Sequence, residues 1–187
     1  MEIYDDVFSP VYFLMMCAVI VIHYDVKKTG RLREALALTF GAYLVAYSIY
    51  STWHLLQPAP QWVEDALAVI GLFFAIVIAV IAQMKGIYNG VVVRGAVMLT
   101  ILSIPYVAIS PYWNISGHVA YTTAPALFLV WLDRKWWPVM VVPLVMLVNR
   151  PVVDAHTVAE SVGGFVLAVV AFLTSIWLFE FYVDDRG

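Results

Sequence analysis

The sequence predicts an all-α membrane protein, a polytopic bundle of about seven transmembrane helices with its N-terminus outside and its C-terminus cytoplasmic. Three observations lead there. Of the 187 residues, 64% are apolar and only 12% are charged, whereas soluble domains carry roughly 25% charged residues. A soluble fold of this size has no interior large enough for so many apolar side chains. The apolar residues also cluster into seven runs, at 7–24, 35–56, 66–84, 91–110, 119–132, 136–149 and 157–183. A helix crosses the ~30 Å hydrocarbon core in about 20 residues, and lipid-exposed strands would leave backbone groups unpaired, so the runs are expected as helices. Finally, the cations sort by side. With the N-terminus outside, Lys27, Lys28, Arg31, Arg33, Lys85, Arg94, Arg134, Lys135 and Arg186 fall in inner loops and Arg150 alone falls outside, as the positive-inside rule asks.

Each run has its own justification. The first follows MEIYDDVFSP, whose acids and lack of basic residues oppose a secretory signal, so it reads as a retained span. The basic stretch from Lys27 to Arg33 sets topology, with anionic lipid headgroups as a second use. Run two ends in STWHLLQ, which places His54 near the outer surface. Runs three and four are separated by KGIYNG. Runs five and six are short, about 14 residues each, hence roughly 21 Å long. Either the bilayer thins there or their outer ends stop below the surface and form an outward-facing recess. Trp53, Trp62 and Trp113 near outer ends, and Trp131, Trp136 and Trp137 near an inner end, form the usual aromatic belts. Pro105, Pro125, Pro138 and Pro143 are expected to kink helices around the recess.

Seven spans leave no room for a soluble domain, so the chain reads as one integral membrane domain over residues 1–187. Ten Lys and Arg against thirteen Asp and Glu offer nucleic acid no basic footprint. Cys17 is the only cysteine, which excludes a disulfide framework and a cysteine metal site.

The rim of the recess concentrates the chemistry. Ser116, Gly117 and His118 lead into run five; Asn149, Arg150, His156 and Glu160 lead into run seven. Ionisable residues at membrane depth are costly and are usually functional. His156 and Glu160 are four apart and share a helix face, and a carboxylate on one ring nitrogen raises the basicity of the other. Two histidines can divide the work of base or nucleophile and general acid. Arg150 can grip an anion through two N–H groups, and helix starts offer backbone N–H groups. Asp154 lies within reach of the same recess.

These blocks resemble the phosphatidic acid phosphatase type 2 superfamily of membrane lipid phosphatases. That family reads P-S-G-H and later S-R-x5-H-x3-D; this chain reads Ile115-Ser116-Gly117-His118 and Asn149-Arg150-x5-His156-x3-Glu160. The likeness covers about residues 113–175, and the family core has six spans, so one helix here is extra. The resemblance implies that His156 attacks phosphorus to form a phosphohistidine. It implies that Glu160 orients it, that His118 protonates the leaving group, and that Arg150, Ser116 and Gly117 hold the phosphate. It implies no metal and no cofactor, a membrane lipid as substrate, and an extracytoplasmic site. A prokaryotic plasma membrane is the expected location. The family's first motif, K-x6-R-P, is missing: Lys85 and Arg94 have the wrong spacing and lie on the inner side. His54 and Asn149 are accessory candidates. Lipid phosphotransferases of the same superfamily also lack that motif, so transfer to an alcohol is the alternative to hydrolysis. An inactive lipid-binding relative and a rhomboid-like serine protease using Ser116 and His156 are the lesser alternatives.

Overall fold

The computed structural model describes residues 4, 7–55, 63, 67, 70, 71, 73, 74, 77, 78, 81, 82 and 90–183, apart from the side chains at 50, 53, 54 and 181–183. Among the described residues every regular element is helical. The α-helices are α1 (Pro10–Thr29), α2 (Leu32–Ser51), α3 (Val91–Ile109), α4 (Gly117–Leu132), α5 (Val141–Val152) and α6 (Val158–Val183), with 3-10 helices at Thr52–Leu55 and Arg134–Met140. Among the described residues three helical segments are long and apolar enough to cross a membrane by length and composition: α1, α3 and the Val158–Glu180 part of α6. The apolar α4 is shorter, at 16 residues, and α5 has 12. Most of the expected third run, 66–84, lies outside the described residues.

Two expected boundaries move. The polar stretch from Asp25 to Glu34 is helical except at Gly30 and Arg31. Polarity marks the edge of an apolar run, not a helix end, and lysine is a good helix former. What ends α1 is Gly30, whose φ of 70° is open to glycine without a Cβ clash; its N–H bonds the Val26 carbonyl at 2.7 Å. The expected sixth run begins instead as the 3-10 helix Arg134–Met140. Asp133 ends α4 and caps that 3-10 helix, accepting the Lys135 N–H at 3.0 Å.

The chain divides into two compact units, residues 1–19 with 112–187, and residues 20–111. In the second, Ile22, Ala35 and Val93 form a small apolar core. Asp25 is fully buried there. Its Oδ2 accepts the Val92 N–H at 3.3 Å, so a carboxylate from α1 sits on the positive end of α3. Gly90 is the N-cap of α3 and has no side chain to cap with. A Cβ there would collide with the Asp25 carboxylate.

In the first unit α4 is central. Val119, Ala120, Thr122, Thr123, Ala124, Pro125, Ala126, Phe128 and Leu129 are all buried, and the Thr122 and Thr123 hydroxyls donate at 2.7 Å to the carbonyls of His118 and Val119, which satisfies them inside the helix. α6 turns a stripe of small residues inward, Ser161, Gly164, Ala168, Ala171 and Ser175, and leaves Val158, Val162, Val166, Val170, Leu173 and Trp177 exposed. Small inward residues allow close backbone approach between membrane helices. At Gly164 an added Cβ would lie 2.5 Å from the Ser116 carbonyl oxygen. α4 and α6 pack directly on each other and α5 packs on both, and backbone bonds from Ser116 to Glu160 and from His156 to Arg150 bring the start of α4, the end of α5 and the start of α6 to one end of this unit.

Candidate active site

Three local motifs build that end. The first is the start of α4. Ser116 is its N-cap, with extended φ and ψ of −70° and 108°, and its Oγ accepts the Val119 N–H at 3.4 Å. Its carbonyl accepts the Ala120 N–H at 3.0 Å, and its own N–H donates to the Glu160 carbonyl at 3.1 Å. Ser116 is fully buried; its hydroxyl caps α4 and its backbone N–H ties that helix start to the start of α6. Gly117 and His118 form the first turn of α4 and are half-buried.

The second motif ends α5. The Ala155 N–H reaches back to the Arg150 carbonyl at 3.1 Å and the Asp154 N–H to the Pro151 carbonyl at 3.2 Å, the paired bonds of a Schellman turn. Asp154 holds the left-handed position, with φ 54°, where glycine is usual. The His156 N–H also points to the Arg150 carbonyl, at 3.4 Å. The five residues between Arg150 and His156 are therefore one closed turn. Arg150 lies in the last turn of α5, where a cation complements the helix dipole; Asn149 beside it is fully buried.

The third motif starts α6. The Glu160 Oε2 accepts the Thr157 N–H at 2.7 Å, and the Thr157 Oγ1 accepts the Glu160 N–H at 3.2 Å. This reciprocal pair is a capping box. Its T-x-x-E signature, Thr157 to Glu160, stands in the sequence, overlapped by the four-residue spacing from His156 to Glu160.

His156 sits between these motifs. Its Nδ1 is 3.0 Å from the Asn114 carbonyl oxygen and 3.7 Å from the Glu160 Oε2. The second distance is beyond hydrogen bonding but within electrostatic reach. The two side chains are 11% and 19% exposed, enough to be reached yet partly shielded from solvent. The Asn114 segment is held by its flanks. Ile115 is buried, its N–H donates to the Trp113 carbonyl at 2.8 Å, and the Trp113 ring covers Gly163, where a Cβ would fall 2.6 Å from the Trp113 Cη2.

The structure thus brings Ser116, Gly117, Asn149, Arg150, His156 and Glu160 to the helix ends of one unit, with His118 in the same first turn as Gly117. The His54 side chain lies outside the described residues; its backbone belongs to the 3-10 helix Thr52–Leu55. Lys85 is also outside them. Among the described residues no group of three or more His, Cys, Asp or Glu side chains is placed to hold a metal ion. Sequence reasoning missed Asn114, whose contribution is a backbone carbonyl and leaves no side-chain signature.

No family model matches the chain, and no curated protein or solved structure was found to be similar to it.

Proposed function

We propose that the protein is an integral membrane phosphatase that removes phosphate from a lipid phosphate. The reading is supported above all by His156, a partly shielded imidazole whose Nδ1 faces a carbonyl at 3.0 Å and a carboxylate at 3.7 Å, beside the start of the helix that carries Ser116-Gly117-His118. With its proton on Nδ1, the ring presents a lone pair on Nε2. Nε2 attacks phosphorus, the bond from phosphorus to the lipid oxygen breaks, and His118 gives its proton to the departing alkoxide. His118 then takes a proton from water as the water displaces His156, releasing inorganic phosphate and restoring both rings. Glu160 stabilises the positive charge that develops on His156, and Arg150 neutralises the phosphate oxygens. Ser116 fixes the start of α4 against α6, which holds Gly117 and His118 in place. No metal or cofactor enters the scheme.

In this reading seven helices span a prokaryotic plasma membrane, with the N-terminus outside and the site extracytoplasmic. The substrate is phosphatidate-like or a polyprenyl phosphate or diphosphate, and its tail supplies the binding energy that a single outer arginine does not. The absence of a K-x6-R-P segment favours, as the second reading, transfer of a phospho-headgroup to an alcohol. Purified protein in mixed micelles is expected to release inorganic phosphate from one or more lipid phosphates, and His156→Ala to release none. Equal release by the two refutes the nucleophile assignment, and a transferred headgroup without free phosphate selects the second reading.

A further inference from the structure

We infer that the backbone carbonyl of Asn114, and not the Glu160 carboxylate, is the group that orients the His156 ring and fixes its tautomer. The catalytic meaning of this rests on the phosphatase reading; the geometry does not. A carbonyl oxygen only accepts, so at 3.0 Å the His156 Nδ1 is the donor and the neutral ring carries its lone pair on Nε2. Glu160 has another task. Its Oε2 is 2.7 Å from the Thr157 N–H and a full ångström farther from the ring, at 3.7 Å, so its main bond caps α6 and it acts on the imidazole chiefly through charge.

The division of labour makes the segment from Trp113 to Ser116 the positioning element of the site. The Asn114 carbonyl is aimed by anchors on both sides: the Trp113 ring against Gly163, the buried Ile115 side chain, and the Ser116 N–H on the Glu160 carbonyl at 3.1 Å. The nucleophile in the turn before α6 is therefore held ready by the loop that enters α4. Displacing that loop frees the ring to turn, even with Glu160 intact.

The test reads the ring directly. Full-length protein labelled with 15N-histidine is studied in detergent micelles at a pH where His156 is neutral, its resonances assigned by their loss in His156→Ala. Wild type is expected to show Nδ1 protonated and Nε2 bare. Glu160→Gln keeps an acceptor for the Thr157 N–H and is expected to keep that tautomer. Its kcat on phosphatidate in mixed micelles should fall about tenfold, from lost charge, where a wrong tautomer costs a triad roughly 10⁴-fold. Trp113→Ala, which removes the packing on Gly163, is expected to give a mixture of tautomers. Should Glu160→Gln fail to fold, Glu160→Asp, which draws the carboxylate back by one methylene, answers the same question. An Nε2-protonated ring in wild type, or loss of the Nδ1–H form in the Glu160 variants, overturns the proposal. A Trp113→Ala protein that retains the pure wild-type tautomer overturns the role given to the loop. If the tautomer behaves as expected but wild type cleaves no lipid phosphate, the phosphatase reading fails and the positioning by Asn114 stands.

Discussion

Gly164→Ala should loosen the candidate site although residue 164 bears no reacting group. A Cβ there would lie 2.5 Å from the Ser116 carbonyl oxygen, which is backbone, and 3.5 Å from the Ala120 nitrogen. Ordinary contact begins near 3.4 Å, so α4 and α6 must separate by about 0.5–0.9 Å to relieve the clash. Such a shift stretches the 3.1 Å bond between the Ser116 N–H and the Glu160 carbonyl past useful length. Overpacking of this kind costs about 1–3 kcal/mol, and the lost backbone bond about 1 kcal/mol. The gain in helix propensity from glycine to alanine returns about 1 kcal/mol. The net is a destabilisation of about 1–3 kcal/mol, and at about 2–4 °C per kcal/mol for a chain of this length the Tm should fall by several degrees. Thermal unfolding in detergent measures it, and phosphate release should fall with it. An unchanged or raised Tm would show that the two helix starts are not held at the distance on which the site depends.

Four further changes separate local backbone effects from site effects. Gly41→Ala in α2 meets nothing within 4 Å, so it should stabilise by about 0.5–1 kcal/mol, seen as a higher Tm. Gly90→Ala drives a Cβ into the buried Asp25 carboxylate and should destabilise by about 1–3 kcal/mol; Asp25→Asn, which keeps an acceptor for the Val92 N–H, should be milder. Asp154 holds a left-handed backbone, so Asp154→Val should lower stability by about 1–2 kcal/mol while Asp154→Gly should leave it equal or higher, both read by Tm. Thr157→Ala removes half of the α6 capping box and should cost about 1 kcal/mol, with hydrogen exchange rising first in the opening turn of α6.

The residues that meet at the candidate site are widely separated along the chain, yet their types and order are legible. Ser-Gly-His announces a helix start, and Arg-x5-His turns out to be one closed turn. Their meeting is not legible. It depends on Gly164 letting α6 approach the Ser116 carbonyl, and a glycine in an apolar run reads only as tolerance. Pairing His156 with Glu160 followed from helical periodicity, which assumes that both residues sit inside the helix. The structure puts His156 in the turn before Thr157, the cap, and there the i,i+4 rule gives proximity without a hydrogen bond. The Asn114 carbonyl that takes the nearer place could belong to any residue type, so no pattern reveals it. The burial of Asp25 is hidden for a similar reason: nothing beside the lysines shows that Gly90, 65 positions later, makes room for its carboxylate at a helix start.

Composition and run length alone determined that this chain is helical and apolar enough to enter a membrane, because burial in hydrocarbon depends on summed side-chain character and scarcely on arrangement. They also marked the polar residues that a membrane protein has reason to keep. Tertiary structure decided what each of those residues touches. Hydrogen bonds act over about 3 Å and backbone carbonyls carry no sequence label, so only the packed positions of α4, α5 and α6 could put the Asn114 oxygen, and not the Glu160 carboxylate, on the ring of His156.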